Sequence, residues 1–198
     1  NLEDVIIAIK EMKVRGAPLI GATAAFGVYL AFRELKNKDQ MLLAIEKIKQ
    51  TRPTAVNLFW AVERMVSKID FSYANKEIEN ILLKEALKIC EEDKDCCKKI
   101  GENGLEIIKN ISNEKKKLNI LTHCNAGWLA TIDWGTATAP IYYARDNNID
   151  LHVWVDETRP RNQGASLTSY ELNNEGIDNT IITDNTAGIL MQRGQIDL

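Results

Sequence analysis

The residue that could do chemistry most directly is Cys124, in the run Thr122-His123-Cys124-Asn125-Ala126-Gly127. An apolar segment that reads as a strand precedes it, and a longer segment that reads as a helix follows. A thiol at a helix start feels the positive end of the macrodipole, which favours the thiolate and makes a cysteine reactive. The plainer reading is a small buried hydrophobe, as most free cysteines are. Cys90, Cys96 and Cys97 fall on helical segments, where packing or surface exposure explains them, and their spacing supplies no zinc ligand set, so no metal is expected. His123 and His152 are the only histidines. Adjacent side chains on a strand point to opposite faces, so His123 is not expected to meet Cys124, which weighs against a thiol hydrolase. His152 lies inside a second apolar run and reads as a satisfied core histidine.

Two arginines stand just ahead of helical segments: Arg15 in Val14-Arg15-Gly16-Ala17-Pro18 and Arg52 in Thr51-Arg52-Pro53-Thr54. A helix start offers free N–H groups and an adjacent guanidinium adds a planar fixed charge, which together suit a phosphate. Gly16 would let backbone approach such a ligand closely. Loop-end arginines are also common without any ligand. Neither a Gly-x-x-x-x-Gly-Lys-Ser/Thr loop nor a Gly-x-Gly-x-x-Gly run is present, so a nucleotide is not indicated.

Those residues must be positioned by two kinds of structure. Apolar residues at helical spacing fill the first half: Val5, Ile6, Ile9 and Met12, then residues 18–35 with Pro18 in the first turn, then 41–49. Thr54 is a good N-cap for a helix carrying Leu58, Ala61, Val62 and Met65, Asn75 for one carrying Ile78 to Ile89, and residues 95–111 give another. After the solvated run Glu114-Lys115-Lys116-Lys117 the pattern changes. Strands are expected at 118–122, 151–155 and 180–183, and helices at 128–146, 164–173 and 187–192. That alternation implies a parallel sheet in a doubly wound α/β domain. The fold class expected is therefore α/β, with a helical N-terminal domain over residues 1–112 and the first part of an α/β domain over 113–198. In open α/β sheets ligands sit beyond the carboxyl ends of the strands. Three polar segments fall there: residues 122–127, 156–164 and 183–186.

Composition narrows the classes further. The chain has 198 residues, 45% hydrophobic and 27% charged, an ordinary globular balance that excludes disorder. Gly (11) and Pro (4) are scarce against a usual share of roughly 12%, which favours helices over a turn-rich β sandwich. A net charge of −3 makes no electrostatic case for nucleic acid. The uncharged run over residues 16–32 is short of the roughly 18 residues of a membrane span and contains Pro18 and three glycines. Four cysteines without a paired framework or a signal sequence suit a reducing cytosol, where the Asn110-Ile111-Ser112 sequon means nothing. The chain opens on Asn1 and closes on Gln195-Ile196-Asp197-Leu198, which reads as the start of a strand. It therefore reads as an internal piece of a longer protein, lacking both ends, with the strand at 180–183 left as an exposed edge.

Taken together, five segments resemble the 5-methylthioribose-1-phosphate isomerase family: Val14-Arg15-Gly16-Ala17-Pro18, Thr51-Arg52-Pro53-Thr54-Ala55-Val56-Asn57-Leu58, Thr122-His123-Cys124-Asn125-Ala126-Gly127, Asp156-Glu157-Thr158-Arg159-Pro160-Arg161 with Gln163-Gly164-Ala165, and Thr183-Asp184-Asn185. They occur in the family's order over nearly the whole chain. The resemblance implies a helical domain joined to a Rossmann-like domain and a cytoplasmic homodimer. It implies an aldose–ketose isomerase of methionine salvage that takes a phosphosugar and needs no cofactor. It assigns Cys124 as catalytic and Arg15, Gly16, Ala17, Arg52 and Gln163 as substrate-binding. The family's catalytic aspartate follows the next strand, so it falls outside this sequence and this stretch alone would be inactive; Asp184 is the first carboxylate that could stand in for it.

Within the match there are departures. Asn162 stands where many members have leucine, and Ser166 where many have arginine. Trp128, Asp133, Trp134 and Trp154-Val155-Asp156 resemble a subgroup also linked to 5-deoxyribose 1-phosphate, so the substituent at carbon five stays open. Two alternatives come with the relatives. Ribose 1,5-bisphosphate isomerases share the fold but do not usually show Asn125-Ala126-Gly127 after the cysteine. Regulatory subunits of the exchange factor of eukaryotic translation initiation are binding scaffolds, a reading that retention of Cys124 weighs against.

Overall fold

A computed structural model describes residues 1–35 and 37–198. The chain divides into two compact units, Asn1–Asp93 and Lys94–Leu198. The division falls inside a helix rather than at residue 112, where composition changes, because Leu105 and Ile108 on the later part of that helix belong to the core of the α/β unit.

The first unit is helical: α1 (Leu2–Lys10), α2 (Ala17–Glu34), α3 (Lys38–Gln50), α4 (Val56–Val66) and the first part of α5 (Asn75–Ser112). Its core is made by Ile9, Val28, Ile48, Leu58, Met65, Ile78 and Leu82, all fully buried. Helix α2 is the hub. Val5 of α1 and Ile48 of α3 both press on Gly27, where a Cβ would lie within 3.0 Å of each. Gly21, in the second turn of α2, lies against the Asn57 carbonyl in the first turn of α4, 3.1 Å from where a Cβ would stand. The N-termini of α2 and α4 are thus neighbours at one end of the unit. The two helices expected over 78–89 and 95–111 are one helix of 38 residues. Nothing between them breaks a helix: Cys90-Glu91-Glu92-Asp93-Lys94-Asp95 is polar but contains neither Gly nor Pro.

The second unit holds a three-stranded parallel sheet, β1 (Leu118–Thr122), β2 (Leu151–Asp156) and β3 (Asn179–Ile182), in the order β1-β2-β3. Helices α6 (Ala139–Asp146), α7 (Ser169–Asn174) and α8 (Thr186–Gln192) follow the strands. Leu118, Ile120, Val153, Val155, Ile141, Leu172 and Ile177 form the core with Leu105 and Ile108. The residues after α8 do not extend β3. They run along the free edge of β1, where Asp197 N–H donates to Asn119 O at 2.8 Å and Leu121 N–H to Leu198 O at 2.9 Å. Chain order therefore reverses at β1, which has β2 on one side and residues 197–198 on the other.

The helix expected over 128–146 is only half formed. Residues Trp128–Ala130 make one 3₁₀ turn, Trp134 and Gly135 have φ of 68° and 79°, and α6 begins at Ala139 with Pro140 in its first turn. Likewise, the helix expected over 164–173 is a π turn (Gly164–Thr168) followed by α7. The lysine run is tied down by ion pairs, Lys115 to Asp197 and Lys117 to Asp178 at 2.9 Å. Among the described residues no helix is long and apolar enough to cross a membrane.

Candidate functional site

In the first unit the candidate residues lie at the adjacent starts of α2 and α4. Gly16 is the N-cap of α2, with φ of 82°, a conformation that only glycine adopts without cost. Ala17 opens the helix and Pro18 follows, so one missing N–H falls where it is not needed. Arg15 is half-buried and its Nε–H donates to Met12 O at 3.0 Å, which fixes the stem of the guanidinium and leaves its terminal nitrogens to act. Arg52, also half-buried, precedes α4, and its carbonyl accepts from Ala55 N–H at 3.0 Å. The expected cap, Thr54, does not cap: Ala55 is the N-cap, and neither α2 nor α4 has a side-chain cap. By contrast, Asn1 forms a capping box on α1, and Asn37 accepts from two N–H groups of α3. Unlike the starts of α1 and α3, the two helix starts beside the arginines have no side-chain cap, which leaves donors open, as an anion needs.

In the second unit the candidates lie beyond the carboxyl ends of the strands. Cys124 is not at a helix N-terminus as expected. A three-residue 3₁₀ turn is the next helical element and α6 starts only at Ala139, so the thiol does not sit at the start of the helix that follows it. Instead Cys124 sits in a turn with φ of 66°, the left-handed region. Its N–H donates to Thr158 Oγ1 at 2.8 Å, and its carbonyl accepts from Thr168 Oγ1 at 2.7 Å. Thr158 is itself left-handed, with φ of 60°, an outlier for a β-branched residue. Such conformations cost of order 1–3 kcal/mol each and persist where the surroundings over-determine them. Here the determinant is Asp184, whose two carboxylate oxygens accept from Thr158 N–H at 2.7 Å and Arg159 N–H at 2.8 Å. Those backbone donors hold the Asp184 carboxyl below the ordinary range. An aspartate kept ionised and fully engaged is a loop anchor and a poor stand-in for a general acid.

Strand register explains the histidine. Thr122 pairs with Val155, so His123 comes level with Asp156, and its Nδ1 lies 2.9 Å from Asp156 Oδ2. His123, Asp156 and Asp184 bring one ligand atom each within 4.8 Å of one another, a grouping able to take a cation that sequence spacing did not foresee. Both Asp184 oxygens and one Asp156 oxygen already have hydrogen-bond partners. His152 likewise pairs through Nδ1 with Asp178 Oδ2 at 2.9 Å, at the amino end of the sheet. Gln163 precedes the π turn and is half-buried. Around these residues, Thr122 Oγ1, both Asn125 amide atoms, Asp156 Oδ1 and Asn162 Oδ1 are buried without a hydrogen-bond partner. Polar atoms in that state are suited to a ligand rich in hydroxyls.

One supporting residue had no visible signal as a polar group. Glu171 is fully buried and accepts from Leu129 N–H and Tyr142 O–H, each at 3.1 Å. Burial pushes its carboxyl above the ordinary range. Glu171 occupies the space a side chain at position 127 would need, since a Cβ on Gly127 would lie 1.6 Å from Glu171 Oε2. The glutamate thereby fixes the turn that follows Cys124. Its position three residues after Thr168 and next to Leu172, both fully buried, is the helical stripe that could have revealed it. Of the remaining cysteines, Cys97 is buried, Cys96 is exposed, and burial pushes the half-buried Cys90 thiol up.

Residues 13–198 match the model of the initiation factor 2 subunit family. The chain is 50% identical to a methylthioribose-1-phosphate isomerase of Methylorubrum extorquens, over 100% of this chain and 54% of that protein. It therefore spans about half the length of the curated relatives it matches. Among solved structures, the 5-methylthioribose 1-phosphate isomerase of Pyrococcus horikoshii superposes with a TM-score of 0.87 at 40% identity, covering 100% of this chain and 56% of that one. A structure described as translation initiation factor eIF-2B, subunit delta, from A. fulgidus gives 0.83 at 40% identity, over 100% and 58%.

Proposed function

Because the chain belongs to the initiation factor 2 subunit family, we propose that it is part of an isomerase that converts 5-methylthioribose 1-phosphate into the corresponding ketose 1-phosphate. The observation that carries this reading is the 50% identity to a methylthioribose-1-phosphate isomerase across this whole chain. The reading includes a place in methionine salvage, a cytoplasmic homodimer, and a helical domain over 1–112 followed by a Rossmann-like domain from 113. The reversal of chain order at β1 supports the last point, since ligands sit where strand order reverses.

An aldose 1-phosphate has its anomeric carbon locked as an acetal-like ester, so the ring opens only when an acid protonates the ring oxygen. A hydrogen then moves from carbon two to carbon one. In this reading Arg15, Gly16, Ala17 and Arg52 hold the phosphate at the open helix starts, and Gln163 contacts the sugar. Cys124 assists the transfer, and the acid is the aspartate that the family resemblance places after the next strand. The exchange-factor name of the A. fulgidus structure keeps the scaffold reading in play, and the same experiment separates them all. The full-length protein should be offered 5-methylthioribose 1-phosphate, 5-deoxyribose 1-phosphate and ribose 1,5-bisphosphate side by side. Turnover of the first two and failure of the bisphosphate is expected. Preference for the bisphosphate, or binding without turnover of any, overturns the proposal.

A further inference from the structure

Cys124 is held by a device that neither its sequence motif nor the family resemblance describes. Its backbone donor and its backbone acceptor are both taken by threonine hydroxyls, at 2.8 Å from Thr158 and 2.7 Å from Thr168. The two threonines approach from different segments, one beyond β2 and one in the π turn ahead of α7. Thr168 is fully buried and Thr158 nearly so. A hydroxyl has one proton and two lone pairs, and each threonine commits its single proton to a backbone carbonyl. Thr158 Oγ1 accepts from Cys124 N–H and donates to Asp156 O at 3.1 Å, while Thr168 Oγ1 donates to Cys124 O. Thr158 cannot relax away, because Asp184 at the end of β3 grips its N–H and that of Arg159. A chain of support thus runs from the third strand end, through a left-handed threonine, to a left-handed cysteine on the first.

Two neighbouring non-glycine residues in the left-handed region, bonded to each other, are more than a fold of this kind needs to turn a corner. Glycine would serve at either position if only the turn mattered. We infer that Thr158 and Thr168 are positioning residues for Cys124, with Asp184 as their anchor, and that they set the direction of the thiol toward the reacting carbons. The inference rests on the reading of Cys124 as the reaction partner. It assigns no contact between either threonine and the substrate.

The test uses the full-length enzyme with 5-methylthioribose 1-phosphate. Thr158→Gly removes the clamp hydroxyl and also relieves the strained φ, so the fold should be no less stable while kcat falls between about 10- and 100-fold, the scale of a misplaced reacting group. KM should stay unchanged. Thr168→Val, which keeps the shape and loses the hydroxyl, should do the same, and serine at either position should recover turnover toward the parent. Alkylation of Cys124 by iodoacetamide, followed at its own peptide, should change in rate in the Gly and Val variants and return in the Ser variants. If Thr168→Val does not fold, Thr158→Gly alone decides. Parental kcat and a parental alkylation rate in the folded variants would overturn the clamp. Parental turnover by Cys124→Ala would instead overturn the role of the cysteine, and the alkylation rates would still report on the clamp.

Discussion

The starts of α2 and α4 and the turn that carries Cys124 treat the same backbone groups in opposite ways. At the helix starts the first N–H groups are left without side-chain caps, although Asn1 and Asn37 cap the other two helices that begin in that unit's first half. At Cys124 both the N–H and the carbonyl are consumed by threonines. An anion is gripped by donors that nothing else has claimed, and its site tolerates some movement because charge acts over a distance. A group that must meet one carbon at one angle gains more from being immobilised. The two regions have the polarities expected of a binding half and a transfer half.

That division is broken most sharply by removing the chemistry on each side. Cys124→Ala in the full-length protein should cost about 10²-fold or more in turnover, the scale of one acid–base group, with substrate affinity nearly intact. Arg15→Ala and Arg52→Ala should each weaken binding of a ketose 1-phosphate product by about 1.5–3 kcal/mol, measured by calorimetry, with kcat at saturation little changed. Loss of affinity in the cysteine variant and loss of saturated turnover in the arginine variants would reverse the roles.

A subtler substitution should push stability and binding in opposite directions. Ala55→Asp installs at α4 the cap it lacks, which is worth about 0.5–2 kcal/mol to a helix. The new carboxylate would also occupy the N–H groups proposed for phosphate and repel the anion. The melting temperature should rise while product affinity falls. If both improve together, the open start of α4 is not part of the binding site.

What could be read from the sequence follows the range of the forces involved. All three strands were placed to within a residue, since Leu118 to Thr122 and Leu151 to Val155 are short apolar runs closed by polar residues. Arg15 and Arg52 were recognisable because a helix start is a local signal. The helix-start argument for Cys124 does not hold: the helix expected to begin at Trp128 begins at Ala139, since Gly135 and Pro140 keep the intervening chain in a loop. The supporting roles of Thr158, Thr168 and Glu171, and the anchoring role of Asp184, which the sequence offers only as a stand-in acid, are not legible because each depends on a partner more than twenty residues away, set by strand register and by left-handed turns. Periodicity carries no information about such contacts. The merged helix α5 was missed for a different reason, that a polar stretch without Gly or Pro reads as a gap although it propagates a helix well.

The two histidine–aspartate pairs give the smallest and last test. His123–Asp156 lies at the carboxyl ends of the strands beside Cys124, whereas His152–Asp178 lies at the amino ends, away from the candidate residues. Hydrogen bonds from Lys117, the larger influence, and from His152 draw the Asp178 carboxyl from 3.8 down to about 2. A carboxyl depressed in the folded state stabilises the protein above its unfolded pKa, and that contribution is lost as pH falls from about 4 toward 2. Asp178 is 61% exposed, so solvent screening keeps the effect below about 1 kcal/mol. Urea denaturation of the full-length protein and of Asp178→Asn should therefore show a small gap at pH 5 that narrows at pH 3, with turnover at neutral pH the same for both. An equal gap at the two pH values would mean that the pair is not coupled to folding. A loss of turnover would mean that the amino end of the sheet does more than hold the strands, and the contrast between the two pairs would fail with it.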